Sequence, residues 1–226
     1  MKTGRNRMKP SNQIDLANLE PFAQGSERLI YKSPSNNRQL VKVIKEKHRK
    51  RPMDNLYERM TLGPYILFMR EYAAYISALM MQEKLGRRPP LPRIFGTVPT
   101  DQGIGQLVRM ISDEMGKIAP TLQDLLQTDG FTQTELNLLN QFVEDLYGFH
   151  IVAYDLKPKN IVLEVKKSVR RFVLVDGFGD RALIPLKSIF TKLNNRKLDK
   201  EIAKLANQTG LVLDRKNRKF HFPEKQ

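Results

Sequence analysis

The chain has 226 residues, 40% of them hydrophobic, with no cysteine and a formal net charge of +15. That length and composition support one sizeable domain or two small lobes with a packed core, and argue against wholesale disorder. The missing cysteines exclude disulfides, thiolate metal sites and thiol nucleophiles, and His48, His150 and His221 lie too far apart for a zinc site.

In chain order, residues 1–13 lack periodicity and are expected to form a flexible basic tail. Three short strands follow: one approaching Phe22, one over 28–32 and one over 40–44, with turn formers at 33–37 between the last two. After a basic, proline-containing segment at 45–52, Pro64 suits a helix first turn. Ile66, Met69, Ala73, Ile76 and Met80 then recur at helical spacing until Gly86. Strands are predicted over 93–98 and 105–111, around the turn Thr100-Asp101-Gln102-Gly103.

Residues 112–120 make a charged crossing between the two halves, and a short helix is predicted over 122–127. Thr132 and Glu135 then form a capping-box pattern ahead of an apolar stripe of Leu136, Leu139, Phe142, Val143, Leu146 and Phe149. Two strands, 161–165 and 171–175, flank a basic loop. Helical segments are expected near 185–193 and 198–206, and a strand pair around 214–217. The order predicts an α+β chain in two lobes, with a tail at 1–13, an N-lobe at 14–111 and a C-lobe at 112–226.

Chemistry concentrates between Tyr154 and Gly179. Asp155-Leu156-Lys157-Pro158-Lys159-Asn160 precedes the strand pair, and Asp176-Gly177-Phe178-Gly179 follows it. An acid, a lysine two residues on and an amide five residues on, with a second acid across a hairpin, suit a proton acceptor, a phosphate-binding cation and two Mg²⁺ ligands. These residues resemble the catalytic loop and metal loop of the protein-kinase-like superfamily. The resemblance implies that Asp155 accepts the substrate hydroxyl proton, Lys157 neutralises γ-phosphate charge, and Asn160 and Asp176 hold Mg²⁺. It further implies that Lys42, flanked by Val41 and Val43, binds the α- and β-phosphates of ATP with Glu71 as its partner. Lys45 is a competing candidate for that lysine. Gly25 and Ser26 stand where a phosphate-covering loop would offer backbone N–H groups, although the loop has one glycine where kinases have three.

Ala153 and Tyr154 stand where protein kinases carry His and Arg, and no A-P-E follows Gly179. The expected fold is therefore two-lobed and kinase-like, with a small antiparallel-sheet N-lobe and a shortened helical C-lobe. The hinge is expected near Ile111 to Glu114, with the nucleotide in the cleft between about residue 112 and the strands before it. The Leu183-Ile184-Pro185-Leu186 run and the Gly96-Thr97-Val98-Pro99-Thr100-Asp101 turn are similar to those of YrbL-type PhoP regulatory network proteins. That likeness implies a role in a bacterial regulatory network.

The function expected is an ATP- and Mg-dependent phosphotransferase with a protein, sugar or glycolipid acceptor. A regulatory pseudokinase and a sugar or lipopolysaccharide-core kinase are the alternatives. No stretch approaches the roughly 20 apolar residues of a membrane span, and no secretory signal is visible, so a cytoplasmic setting is expected. The positive field suits anionic partners, including peripheral contact with an anionic membrane. Basic clusters without interleaved aromatics give no expectation of stable nucleic-acid binding.

Overall fold

The computed structural model describes residues 13–50, 63–128, 130–166, 169–180 and 190–224. The chain divides into two compact units, residues 1–65 with 94–109, and residues 66–93 with 110–226. The expected tail, apart from Gln13, lies outside the described residues. So do residues 51–52 of the basic segment, the Lys167-Ser168 loop and the 183–186 run.

The first unit is a five-stranded antiparallel sheet in the order β1-β2-β3-β5-β4. Its strands are β1 (Ala23–Gln24), β2 (Arg28–Ser33), β3 (Asn36–Ile44), β4 (Ile94–Thr100) and β5 (Gly103–Arg109). β3 begins four residues earlier than the sequence reading had it. Pro34 and Ser35 alone make the turn, and the strand pairs with β2 from Ser33 opposite Asn36. At its far end β3 is buried at each position from Val41 to Ile44, where Val43 faces Gly105 of β5. A Cβ on Gly105 would come within 2.7 Å of Val41, so glycine is what lets these strands pack. Leu16, Tyr31, Val41 and Val43 form the core. Leu16 is held there by its N–H donating to Asp101 Oδ1 at 2.7 Å, a long-range tie with no sequence signature. A short helix, α1 (Glu46–Arg49), follows β3.

The second unit holds α2 (Ile66–Leu85), α3 (Leu122–Leu126), α4 (Gln133–Gly148) and α5 (Thr191–Thr209), with hairpins β6 (Ile161–Lys166)/β7 (Val169–Leu174) and β8 (Val212–Asp214)/β9 (Lys219–His221). α2 buries Phe68, Glu71, Tyr75 and Ala78, spaced as one helical face. The stripe picked from the sequence points the other way, with Met69, Ile76 and Met80 exposed. On a helix this apolar all round, periodicity does not select the buried side. α4 follows expectation: Thr132 and Glu135 make both capping-box bonds, and Leu136, Leu139, Phe142, Val143 and Leu146 are buried. Burial works against charge on Glu135. The Thr132 hydroxyl and N–H, together with Arg170, nevertheless hold its carboxyl below the usual range.

The two expected segments after Gly179 are not both separate helices. The second belongs to the single longer helix α5, which ends at Gly210 in the left-handed region, and residues 185–189 of the first lie outside the described residues. The terminal hairpin then locks onto α4. Asn140 donates to the Phe220 carbonyl at 3.0 Å and accepts from its N–H at 2.7 Å, while the Phe220 ring is fully buried. Arg218 stacks on Tyr147 at 4.0 Å and pairs with Asp199 at 3.0 Å. Asn140→Ala would strip both partners from a buried backbone position, at about 2–4 kcal/mol in total. The expected result is a fall in Tm of roughly 5–10 °C by calorimetry. An unchanged Tm would show that the hairpin does not support α4.

Candidate active site

In the second unit the site is built on the end of α4 and on the β6/β7 hairpin. The chain leaves α4 through a left-handed residue, His150 (φ 53), whose N–H meets Tyr147 O while Ile151 N–H reaches Leu146 O. This is a Schellman stop made with histidine where glycine would fit at lower cost. It turns the chain sharply into Ile151, Val152 and Ala153, all buried. Ala153 bridges Phe178, and Gly179 N–H donates to Val152 O at 2.8 Å.

The two motifs therefore meet. Gly177 O accepts from the N–H groups of both Tyr154 (2.8 Å) and Asp155 (3.2 Å). Gly177 has φ 81, and a Cβ there would sit 2.6 Å from the Asp155 carbonyl oxygen. Gly179, at φ 97, abuts the backbone of Arg70 and Glu71 on α2 at 3.0–3.3 Å in the same sense. Each glycine marks a close approach of backbones that no side chain permits. The sequence reading named Gly177 and Phe178 within the metal-loop motif but gave neither a role of its own, and the Phe178 ring is buried. The glycine after the acid was their available signal.

Asp155 is half-buried. Its Oδ1 meets Lys157 Nζ at 2.7 Å, and its Oδ2 and backbone oxygen accept from Asn160 Nδ2 at 3.3 and 3.0 Å. Because Nδ2 is committed to Asp155, the Asn160 carboxamide keeps its oxygen as the remaining donor atom for a cation. Asp176 accepts from Gly177 N–H at 2.7 Å. The strand register sets these two ligand candidates side by side. Ile161 pairs with Leu174, and Val175 N–H donates to Asn160 O at 2.9 Å. An amide oxygen and a carboxylate are the hard donors Mg²⁺ takes, with phosphate and water oxygens completing its octahedron. The described residues contain no cluster of three or more His, Cys, Asp or Glu that could hold a metal.

The hairpin is itself anchored. Buried Glu164 pairs with Arg171 at 2.8 Å, and Arg171 also donates to Pro89 O at 2.9 Å. Leu174 N–H reaches Pro90 O at 2.9 Å. The proline-rich segment thus acts as a rigid backstop for the strands that carry Asn160 and Asp176.

Glu71 is buried on α2, and its backbone N–H, with the carbonyl of the preceding Arg70, lies where Gly179 packs. In the first unit, Lys42 is 3% exposed on β3, opposite Ile30 and Gln106, whereas Lys45 lies beyond the strand within reach of Gln24. A buried ammonium requires ionised or strongly polar partners, so Lys42 is the better candidate of the two on physical grounds. Gly25 and Ser26 occupy the exposed β1–β2 turn. There the Gly25 N–H closes on Arg28 O at 2.9 Å and so holds the turn together instead of pointing to an anion.

A five-stranded antiparallel sheet carrying a buried lysine, a helix carrying a buried acid, and a hydrogen-bonded pair of Asp-x-Lys and Asp-Gly loops around a hairpin make up an α+β protein. The chain belongs to the PhoP regulatory network protein YrbL family, whose model matches residues 14–210. It is 29% identical over 181 residues to a protein of Escherichia coli (strain K12) described as uncharacterized protein YrbL, covering 76% of this chain and 77% of that one. A Shigella flexneri protein of the same description matches with the same figures. Among solved structures, Rad53 1-466 in complex with AMP-PNP aligns at a TM-score of 0.48 and 17% identity, over 90% of this chain and 47% of that one. No helix among the described residues is long and apolar enough to cross a membrane.

Proposed function

We propose that the chain is an ATP- and Mg²⁺-dependent phosphotransferase acting in the cytoplasm within a PhoP-type regulatory network. The observation that carries this reading is the bonded cluster of Asp155, Lys157, Asn160 and Gly177, which presents a general base, a cation and metal-ligand oxygens together. In such a reaction the acceptor oxygen attacks the γ-phosphorus, the bond to the leaving ADP breaks, and Asp155 takes the acceptor proton. Asn160 and Asp176 would hold Mg²⁺, which supplies charge neutralisation across the phosphates. Lys157 would follow the transferring group, and Lys42 would contact the nucleotide.

A second reading, a regulatory pseudokinase, is favoured by one feature: the Gly25 N–H is already engaged by Arg28, in a loop with a single glycine. Calorimetry and ADP-release assays with Mg·ATP separate the two. The phosphotransferase reading expects stabilisation by about 2.7 kcal/mol at 100 times Kd, together with Mg²⁺-dependent ADP release. Stabilisation without ADP release, across protein, sugar and glycolipid acceptors, selects the pseudokinase. Neither effect at millimolar nucleotide rejects the phosphotransferase and favours a pseudokinase that binds no nucleotide.

A further inference from the structure

A cavity of about 370 Å³ opens beside the Asp155–Asn160 loop, entirely within the second unit. Its walls come from three places in the chain: Gln123 and Gln127 at α3, Lys157 and Lys159 from the loop itself, and Gln208 from the last turn of α5. Leu126 and Pro158 add the apolar part of the lining. None of the lining residues carries a carboxylate. Lys159 brings an ammonium to the lining and Lys157 a second, the latter shared with Asp155, so the lining residues themselves carry positive and no negative groups, which favours an anion.

The three carboxamides give paired donors and acceptors, as hydroxyl groups require, since each hydroxyl both donates and accepts. Leu126 and Pro158 can meet the C–H face of a ring. The volume lies near the lower end of the roughly 300–1,000 Å³ typical of small-molecule sites. Lys157 links this cavity to the reaction centre: it lines the cavity and is the 2.7 Å partner of Asp155 Oδ1. A hydroxyl-rich ligand lodged here would therefore have its hydroxyls within one side chain of the general base.

We propose that this cavity is the acceptor subsite, and that the acceptor is a small anionic polyol, a sugar or polyol bearing a phosphate or carboxylate. The proposal rests on the phosphotransferase reading for its chemistry, while binding can be measured without it. A hydroxyl oxygen of the polyol forms the new bond to the γ-phosphorus of a nucleoside triphosphate. The bond to the nucleoside diphosphate breaks, and the hydroxyl proton passes to Asp155. Lys159 and Gln208 act by holding the ligand, not by touching the reacting atoms.

The test is a titration of the ¹⁵N-labelled full chain, without nucleotide, with glucose 6-phosphate, glycerol 3-phosphate, glucose and inorganic phosphate. The side-chain amide signals of Gln123, Gln127 and Gln208 are followed throughout. At least one of the two phosphorylated polyols should displace all three and bind more tightly than glucose or inorganic phosphate. Lys159→Gln should weaken that binding about tenfold. Gln208→Ala, at an exposed position near a helix end, should weaken it with no loss of fold by circular dichroism. The proposal is overturned if neither phosphorylated polyol moves these signals, if inorganic phosphate binds equally well, or if Lys159→Gln leaves affinity unchanged. Binding without ADP release would uphold the cavity and refute phosphoryl transfer. ADP release that neither variant alters would refute the cavity alone.

Discussion

On the proposed phosphotransferase reading, Asp155→Asn should lower Mg·ATP-dependent phosphoryl transfer by about 10²–10⁴-fold, the usual weight of a positioned general base. Thermal unfolding should hardly move. The substitution keeps the shape of the side chain, one oxygen that can meet Lys157, and the backbone oxygen that accepts from Asn160. What it removes is the negative charge and the ability to take a proton. The Asp155–Lys157 pair is partly exposed, 35% and 45% for the two side chains, so its loss costs at most about 1 kcal/mol in solvent-screened surroundings. On the same reading, Asp176→Asn should lower turnover as well, with a raised Mg²⁺ requirement, because the proposed metal ligand loses its charge while the bond to Gly177 N–H can persist. Steady-state kinetics beside calorimetry read both effects. Full turnover in both variants would remove Asp155 and Asp176 from the chemistry.

Gly177→Ala should be far more disruptive than its size suggests, by about 2–5 kcal/mol of stability. A left-handed alanine costs about 1–2 kcal/mol, and overpacking typically adds about 1–3 kcal/mol. The added methyl would meet the Asp155 carbonyl oxygen at 2.6 Å and its Cβ at 2.8 Å, and backbone cannot swing aside as a flexible side chain can. Relief requires the two loops to separate, which would break the bonds from Tyr154 and Asp155 to Gly177 O. Gly86→Ala is the matched control. Gly86 has φ 65 but nothing within 4 Å of the built Cβ, so only the conformational cost of about 1–2 kcal/mol should appear. Denaturant unfolding of the two variants separates strain from clash. Equal losses would show that the contact between the loops contributes nothing.

Much of the site was legible locally. The Asp155-to-Asn160 spacing and the acid at Asp176 are short-range patterns, and the apolar run between them marks the hairpin. The Thr132–Glu135 cap and the α4 stripe were equally readable, because an amphipathic helix with a strong cap states its own boundaries and its buried side. Lys42 was separable from Lys45 by its apolar flanks, and β3 buries it. The misread face of α2 shows the limit: Met69, Ile76 and Met80 match helical spacing as well as Phe68, Tyr75 and Ala78 do. The phosphate loop shows another. Gly25 is a sensible anion donor by residue type, yet its N–H is taken by Arg28 O.

The sequence by itself determined most of the elements, the α+β class and the identity of the candidate chemical groups, because caps, alternation and motif spacing act over a few residues. Only the tertiary structure decided which backbones touch. It brought Gly177 against Asp155 and Gly179 against α2, seated Phe220 on Asn140, and gathered Gln123, Lys159 and Gln208 around one cavity. Those meetings depend on packing between segments far apart in the chain, and steric fit at such contacts leaves no periodic trace in the order of the residues.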